Sequence, residues 1–309
     1  MSKYIVSGYI GFDNFGDEAI AHVLTQRLKN EGAESITLIS SNPEKTKKIH
    51  DVNSCGMLKF LPSLIKSDVL ISGGGSLLQD VTSVKSLFYY LGVIYSALLL
   101  GKKVEIFAQG IGPINSKIGQ LFTKLALTKC SKITVRDKQS QEYLNKWNIK
   151  SELVNDPILD IELPHKNNHG CVGIQLRKFN GVNEEFLNNL AESLCRNFSD
   201  KSFQIFSLQD SVDLEICNIF KQKLLNRGIK NIEVLNNLQI NEVFEGISNL
   251  EYLVSMRFHA GVVGVKSGVR TLVINYDPKV QQLAKQYNLP VINLNQSDFS
   301  KEFEALINL

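Results

Sequence analysis

Apolar residues in this chain fall into short blocks, and longer stretches with a helical repeat separate them. In the first half the blocks predict strands at Tyr4–Gly8, Ser35–Ser40, Val69–Ser72, Val104–Gln109, Lys132–Val135 and Glu152–Val154. Between them, helices are predicted from the GYIGFDNFGDEAI turn to about Glu31, over Leu58–Lys66, over Lys117–Lys129 and from Asp137 to Trp147. The second half repeats the alternation, with strands at Cys171–Gln175, Ser202–Ser207, Ile232–Leu235, Tyr252–Ser255 and Arg270–Ile274. Its helices are Asn183–Phe198, Asp213–Arg227, Gln239–Ser248, a Gly-containing segment ending at Lys266, and Phe299–Leu309.

Strand and helix alternating twice over is the pattern of two α/β domains, each a doubly wound parallel sheet. Residues 1–160 and 170–309 form the expected domains, facing each other across a cleft. The segment Asp160–Gly170 has a proline, a polar cluster and neither period, so it is the expected linker. The last helix is expected to pack back across the junction.

The turns narrow the chemistry. GYIGFDNFGDEAI resembles a nucleotide-binding turn, but its glycines do not follow G-x-G-x-x-G, and the next strand ends in Ser41 and Asn42 rather than a ribose-binding acid. A nicotinamide cofactor is therefore not expected. The formal charge of +3 comes from scattered lysines and arginines, which leaves no nucleic-acid footprint. Five cysteines without a C-x-x-C pair suit reduced thiols in a cytoplasmic protein, and no metal site is expected; His169 and Cys171, two apart, are an incidental pair. The N-terminal stretch lacks a secretory-signal pattern. The uncharged run Ser86–Gly101 is shorter than the ~20 residues a spanning helix needs, so it reads as a buried helix, with a membrane-surface contact as the alternative.

In parallel sheets, ligands sit beyond the carboxyl ends of the strands. There the second half delivers Arg177, Arg257, His259 and Lys279, and the first half delivers Arg136, the glycines of GGGSLLQD including Gly74, and Asp13, Asp17 and Asp80. Each has a plain alternative. A lone histidine beside Phe258 and Ala260 is more often a hydrogen-bonded core residue, Arg257 and Lys279 taken singly are solvated cations, Asp17 is a helix cap, and three glycines make a tight turn.

The ordered set GYIGFDNFGDEAI, SGGGSLLQDVTS, AQGIGP, TVRD, Leu176–Arg177, MRFHAGV and YDPKV resembles the polysaccharide pyruvyl transferase family, especially its bacterial cell-wall branch. The resemblance spans nearly the whole chain; Phe258 stands where the family more commonly has leucine. It implies a fold like that of B-type glycosyltransferases and transfer from phosphoenolpyruvate, with no other cofactor. The implied product is a pyruvate ketal on a sugar, with N-acetylmannosamine in a lipid-linked precursor as the expected acceptor. A lipid-linked acceptor implies work in the cytoplasm at the inner face of a membrane, by peripheral contact and without nucleic acid. The family's donor-binding groups map to Arg136 or Arg177, to His259 and to Lys279. The 170–309 domain is then the donor side and the 1–160 domain the acceptor side. The residues agree chemically. A carboxylate and a phosphate on one small molecule call for several cations, which Arg177, Arg257 and Lys279 can supply, and His259 can act as an acid near neutral pH. Catalysis is assigned to His259, Lys279 and Arg257, and the acceptor to Asp13, Asp17, Gly74 and Asp80. Two rivals remain open, a glycosyltransferase using a nucleotide sugar and a non-catalytic two-lobed anion-binding protein.

Overall fold

Both sheets are wholly parallel in the computed structural model, which describes residues 1–81, 83–163 and 170–309. They belong to separate units, Met1–Ile161 and Glu162–Leu309. Residues 164–169, the middle of the expected linker and including His169, lie outside the described residues.

Unit 1 runs β1 (Lys3–Ser7), α1 (Phe15–Asn30), β2 (Ser35–Ile39), α2 (Pro43–His50), β3 (Asn53–Cys55), α3 (Phe60–Lys66), β4 (Val69–Ser72) and β5 (Gly75–Leu78). It continues with α4 (Val84–Leu99), β6 (Lys103–Ile111), α5 (Lys117–Leu127), β7 (Lys132–Val135), α6 (Lys138–Asn145) and β8 (Glu152–Leu153). The sheet order is β3-β2-β1-β4-β6-β7-β8, with β5 paired to β6. All four residues of β4 are buried, as expected for a strand covered on both faces. One face packs under α1 through Ala21, Leu24 and Leu28. The other packs under α3, α4 and α5 through Leu64, Leu91, Ile94 and Leu127.

Unit 2 runs β9 (Cys171–Gln175), α7 (Glu184–Phe198), β10 (Ser202–Phe206), α8 (Asp210–Leu225), β11 (Ile232–Leu235), α9 (Ile240–Ser248), β12 (Tyr252–Ser255), α10 (Phe258–Lys266), β13 (Arg270–Asn275), α11 (Pro278–Tyr287), β14 (Val291–Asn293) and α12 (Ser300–Ile307). Its order is β11-β10-β9-β12-β13-β14. The chain winds outward from β9 in one direction and from β12 in the other, so the reversal of strand order lies between these two. In unit 1 the corresponding reversal lies between β1 and β4.

Several elements differ from expectation. The charged run of α2 conceals a helix that buries only Thr46 and His50, and β3 is too short to show a period. The triple-glycine turn leads into a strand, β5, whose pairing with β6 slips in register. The segment after Lys279 is α11 and β14. The last helix buries Phe303 and Leu306 in the core of its own unit, against α7 and β13. The helix α4, which carries the uncharged run, is not buried all round: Leu87, Leu91 and Ile94 face the core, while Phe88 and Tyr89 are exposed.

Candidate functional site

The reversal in unit 2 is built on a buried polar cluster. Gln175 ends β9, Arg257 caps α10 after β12, and Asp213 sits in the first turn of α8, fully buried among Ile216, Cys217 and Phe220. The Asp213 carboxylate accepts from Arg257 Nε at 2.7 Å and from its NH2 at 2.8 Å, a forked pair. Arg257 NH2 also donates to Gln209 Oε1 at 3.0 Å, and the Arg257 backbone N–H donates to Gln175 Oε1 at 2.7 Å. The expectation of Arg257 as a cation open to an anion is therefore corrected. Its charge is matched by Asp213, and it locks the start of α10 to β9 and α8.

Above this cluster the cations are less committed. Arg177, just past β9, lies with its guanidinium carbon 5.8 Å from the Tyr276 ring centre, and Phe179 meets the same ring edge-on. Its Nε is buried without a hydrogen-bond partner, and no carboxylate among the described residues pairs with it. Among the described residues, the Lys279 ammonium pairs only with Asp277, at 3.8 Å. It lies in the first turn of α11, and His259 lies in the first turn of α10. The positive end of a helix dipole disfavours cations there and favours anions, so Lys279 sits where a bound anion would offset the cost. His259 is half-buried against Phe258, with ring centres 5.1 Å apart. Parallel pairing sets β9, β12 and β13 side by side, with Gln175 opposite Ser255 and Ser255 opposite Val273, so Arg177, His259 and Lys279 all follow the same sheet edge.

Arg136 is different. It follows β7 in unit 1, its side chain is 5% exposed, and its NH1 donates to Asp156 Oδ2 at 2.8 Å. Ser76 Oγ accepts from NH2 at 3.3 Å. This is a buried pair that ties β7 to the segment after β8.

Unit 1 carries its own hollow, of about 330 Å³, beyond the carboxyl ends of β1 and β2. Its walls include Tyr9, Phe12, Ser41, Met57, Tyr89 and Tyr90. Tyr9 and Phe12 stack at 4.2 Å with ring planes 9° apart, and Tyr89 meets Tyr90 edge-on at 5.0 Å. Burial pushes the Tyr90 phenol far above its ordinary range, so it remains a neutral hydroxyl. The loop bearing Tyr9 and Phe12 is fixed from below, because Gly11 N–H donates to Glu18 Oε1 at 2.6 Å while Glu18 Oε2 pairs with the buried His50 Nε2 at 2.9 Å. Aromatic faces with a few hydroxyls suit a sugar ring, whose C–H face is apolar and whose edge is polar.

None of the expected acceptor residues lines that hollow. Asp13 pairs with Lys45 of α2 at 2.7 Å. A Cβ on Gly74 would lie 2.6 Å from Ile20 of α1, so this glycine serves close helix–strand packing. Asp17 is half-buried, and its Oδ1 would lie 2.7 Å from a Cβ on Gly75, whose φ of +92° also demands glycine. Asp80 is buried and accepts from the backbone N–H groups of Asn115 at 2.8 Å and Ser116 at 2.7 Å. Burial raises its pKa, but these donors outweigh that and hold the carboxyl below its usual range. Asp80 thereby anchors the segment leading into α5.

A sequence profile of the polysaccharide pyruvyl transferase family matches residues 14–278. The chain belongs to that family. No curated protein matches it by sequence. Among solved structures it is similar to the UDP-GlcNAc 2-epimerase of Methanocaldococcus jannaschii, at 13% identity and TM-score 0.68, with 100% of this chain and 93% of that one covered. It is also similar to the Neisseria meningitidis UDP-GlcNAc 2-epimerase bound to UDP-GlcNAc, at 11% identity and TM-score 0.64, covering 99% and 91%. A third is Anabaena Alr3699/HepE in complex with UDP-glucose, at 10% identity and TM-score 0.61, covering 100% and 89%. Such low identities speak to the fold, two Rossmann-like units of the B-type glycosyltransferase kind. Pyruvyl transfer in polysaccharide synthesis comes from the family. For this family member, the matched span takes in Arg136, Arg177, Arg257 and His259 and ends one residue before Lys279. Among the described residues no three His, Cys, Asp or Glu side chains cluster as metal ligands, and no helix is long and apolar enough to cross a membrane.

Proposed function

We propose that the chain transfers the pyruvyl unit of phosphoenolpyruvate to two hydroxyls of a sugar in a polysaccharide precursor, forming a ketal and releasing phosphate. The observation that carries this reading is Arg177, whose buried Nε has no partner at the point where the strand order of unit 2 reverses. A guanidinium in that condition favours an anion with two oxygens to share. Lys279, held only loosely by Asp277, supplies a second positive charge for a donor that carries both carboxylate and phosphate.

The chemistry divides into two additions. His259, as imidazolium, gives a proton to the methylene carbon of the donor, and the adjacent carbon becomes electrophilic. The first sugar hydroxyl adds there and loses its proton. The bond from that carbon to the phosphate oxygen then breaks, and phosphate departs with the electron pair and takes up the proton of the first hydroxyl. The second hydroxyl closes the ketal, and its proton balances the one taken up by the methyl group. Arg177 and Lys279 hold the donor's charges through both steps.

The distinguishing experiment is thermal unfolding with candidate donors. Phosphoenolpyruvate raises Tm in wild-type protein and not in Arg177→Ala, whereas UDP-glucose and UDP-GlcNAc leave Tm unchanged. Stabilisation by the nucleotide sugars alone would make the chain a glycosyltransferase or epimerase in its donor choice.

A further inference from the structure

The helices α3, α4 and α5 share one core beneath them, yet their outer side is apolar too. Leu58 is 100% exposed and Leu99 86%, and Ile65, Phe88, Leu121 and Phe122 are exposed as well. These positions form one surface. Tyr89 Oη of α4 donates to Met57 Sδ at 3.1 Å, Phe88 meets Phe122 of α5 edge-on at 6.2 Å, and Lys102 Nζ reaches the Ile65 carbonyl at 2.8 Å.

The charge on this surface has one sign. Lys59, Lys66, Lys85, Lys117 and Lys124 are exposed around the apolar groups, and neither residues 57–66, α4 nor α5 contains an aspartate or glutamate. A second copy of the chain would press these lysines against their own equivalents in a two-fold contact, which like-charge repulsion opposes. An anionic lipid surface satisfies both features. The leucines and phenylalanines enter the boundary between headgroups and acyl chains while the lysines meet phosphates.

We propose that unit 1 docks on an anionic bilayer through α3, α4, α5 and the Met57–Lys59 turn. Met57 and Tyr89 belong both to this face and to the wall of the aromatic hollow, so the hollow opens beside the lipid. A sugar joined to a lipid carrier could then enter while its carrier stays in the membrane. The docking itself does not depend on the identity of the donor.

Co-sedimentation with vesicles tests this on the full chain. The protein should pellet with vesicles of equal parts phosphatidylcholine and phosphatidylglycerol, less so at high salt, and remain in solution with pure phosphatidylcholine. Lys117→Glu with Lys124→Glu should lower the partition coefficient by about tenfold or more. Leu58→Ser with Leu121→Ser should lower it by a similar factor of roughly ten. Both pairs change exposed side chains, and an unchanged Tm verifies that the fold is kept. Wild-type protein left in the supernatant with anionic vesicles overturns the proposal, as does charge-reversed protein that binds like wild type. A concentration-dependent dimer that Leu58→Ser with Leu121→Ser abolishes, without vesicle binding, would instead make the face a protein interface.

Discussion

Replacing Asp213 by alanine strips the carboxylate from the cluster under the unit 2 site and leaves Arg257 buried with its charge unmatched. Asp213 is 0% exposed and Arg257 7%, so water cannot replace the lost partner without opening the core. Removing one member of a buried ion pair costs about 3–5 kcal/mol. For a unit of this size each kcal/mol moves the midpoint by roughly 2–4 °C, so Tm should fall by roughly 6–20 °C. Scanning calorimetry on Asp213→Ala measures this directly. The companion Asp213→Leu with Arg257→Met removes both charges and should recover most of the loss, since apolar residues of similar volume often replace buried pairs without penalty. That double variant also tests the role of Arg257. If the guanidinium only fixes the start of α10, phosphoenolpyruvate affinity should stay within a few-fold of wild type. A shift below about 2 °C in Asp213→Ala would refute the buried-pair reasoning, and loss of donor binding in the stable double variant would return Arg257 to the donor site.

Arg177→Ala should weaken phosphoenolpyruvate binding by roughly 10- to 150-fold, the worth of charge-assisted hydrogen bonds, while Arg136→Ala should mainly lower Tm; calorimetric titration separates the two. His259→Gln should reduce single-turnover rate by ~10² to 10⁴-fold with donor affinity little changed, and near-normal turnover by the folded variant would remove it from the mechanism. Because the folded Asp80 pKa lies below its unfolded value, its contribution to stability is complete above the ordinary carboxylate pKa and is lost as pH falls through the folded one. Asp80→Asn should therefore flatten the acid limb of a Tm-against-pH curve, and an unchanged limb would show that its contacts with Asn115 and Ser116 add nothing.

Much of the architecture was legible because buried parallel strands are dense apolar blocks, as in Val69–Ser72 and Tyr252–Ser255. The elements that escaped are those held by few apolar contacts. The helix α2 is mostly charged and buries only Thr46 and His50, and β3 is three residues long, placed by its pairing with β2 rather than by a period. Strand ends correctly pointed to Arg177, His259 and Lys279 as neighbours along one edge, but a sequence cannot say which cation already has a partner. Arg257 and Arg136 read the same as Arg177 until Asp213 and Asp156 are seen beside them. Asp213 did leave a signal, an acid in the first turn of a helix on the side that continues as Ile216, Cys217 and Phe220. The aromatic hollow left none, since Tyr9, Phe12, Tyr89 and Tyr90 come from turns and helices far apart in the chain and pass as ordinary core or surface residues.

The most direct test of the whole account is to incubate the protein with phosphoenolpyruvate and N-acetylmannosamine-containing acceptors, free and lipid-linked, and to follow phosphate release and the mass of the sugar together. Pyruvyl transfer predicts one phosphate released for each sugar that gains a pyruvate ketal, and both products lowered together in Arg177→Ala at a donor concentration below the wild-type Kd. Phosphate released while the sugar mass stays unchanged, or a sugar modified only when a nucleotide sugar is supplied, would contradict it.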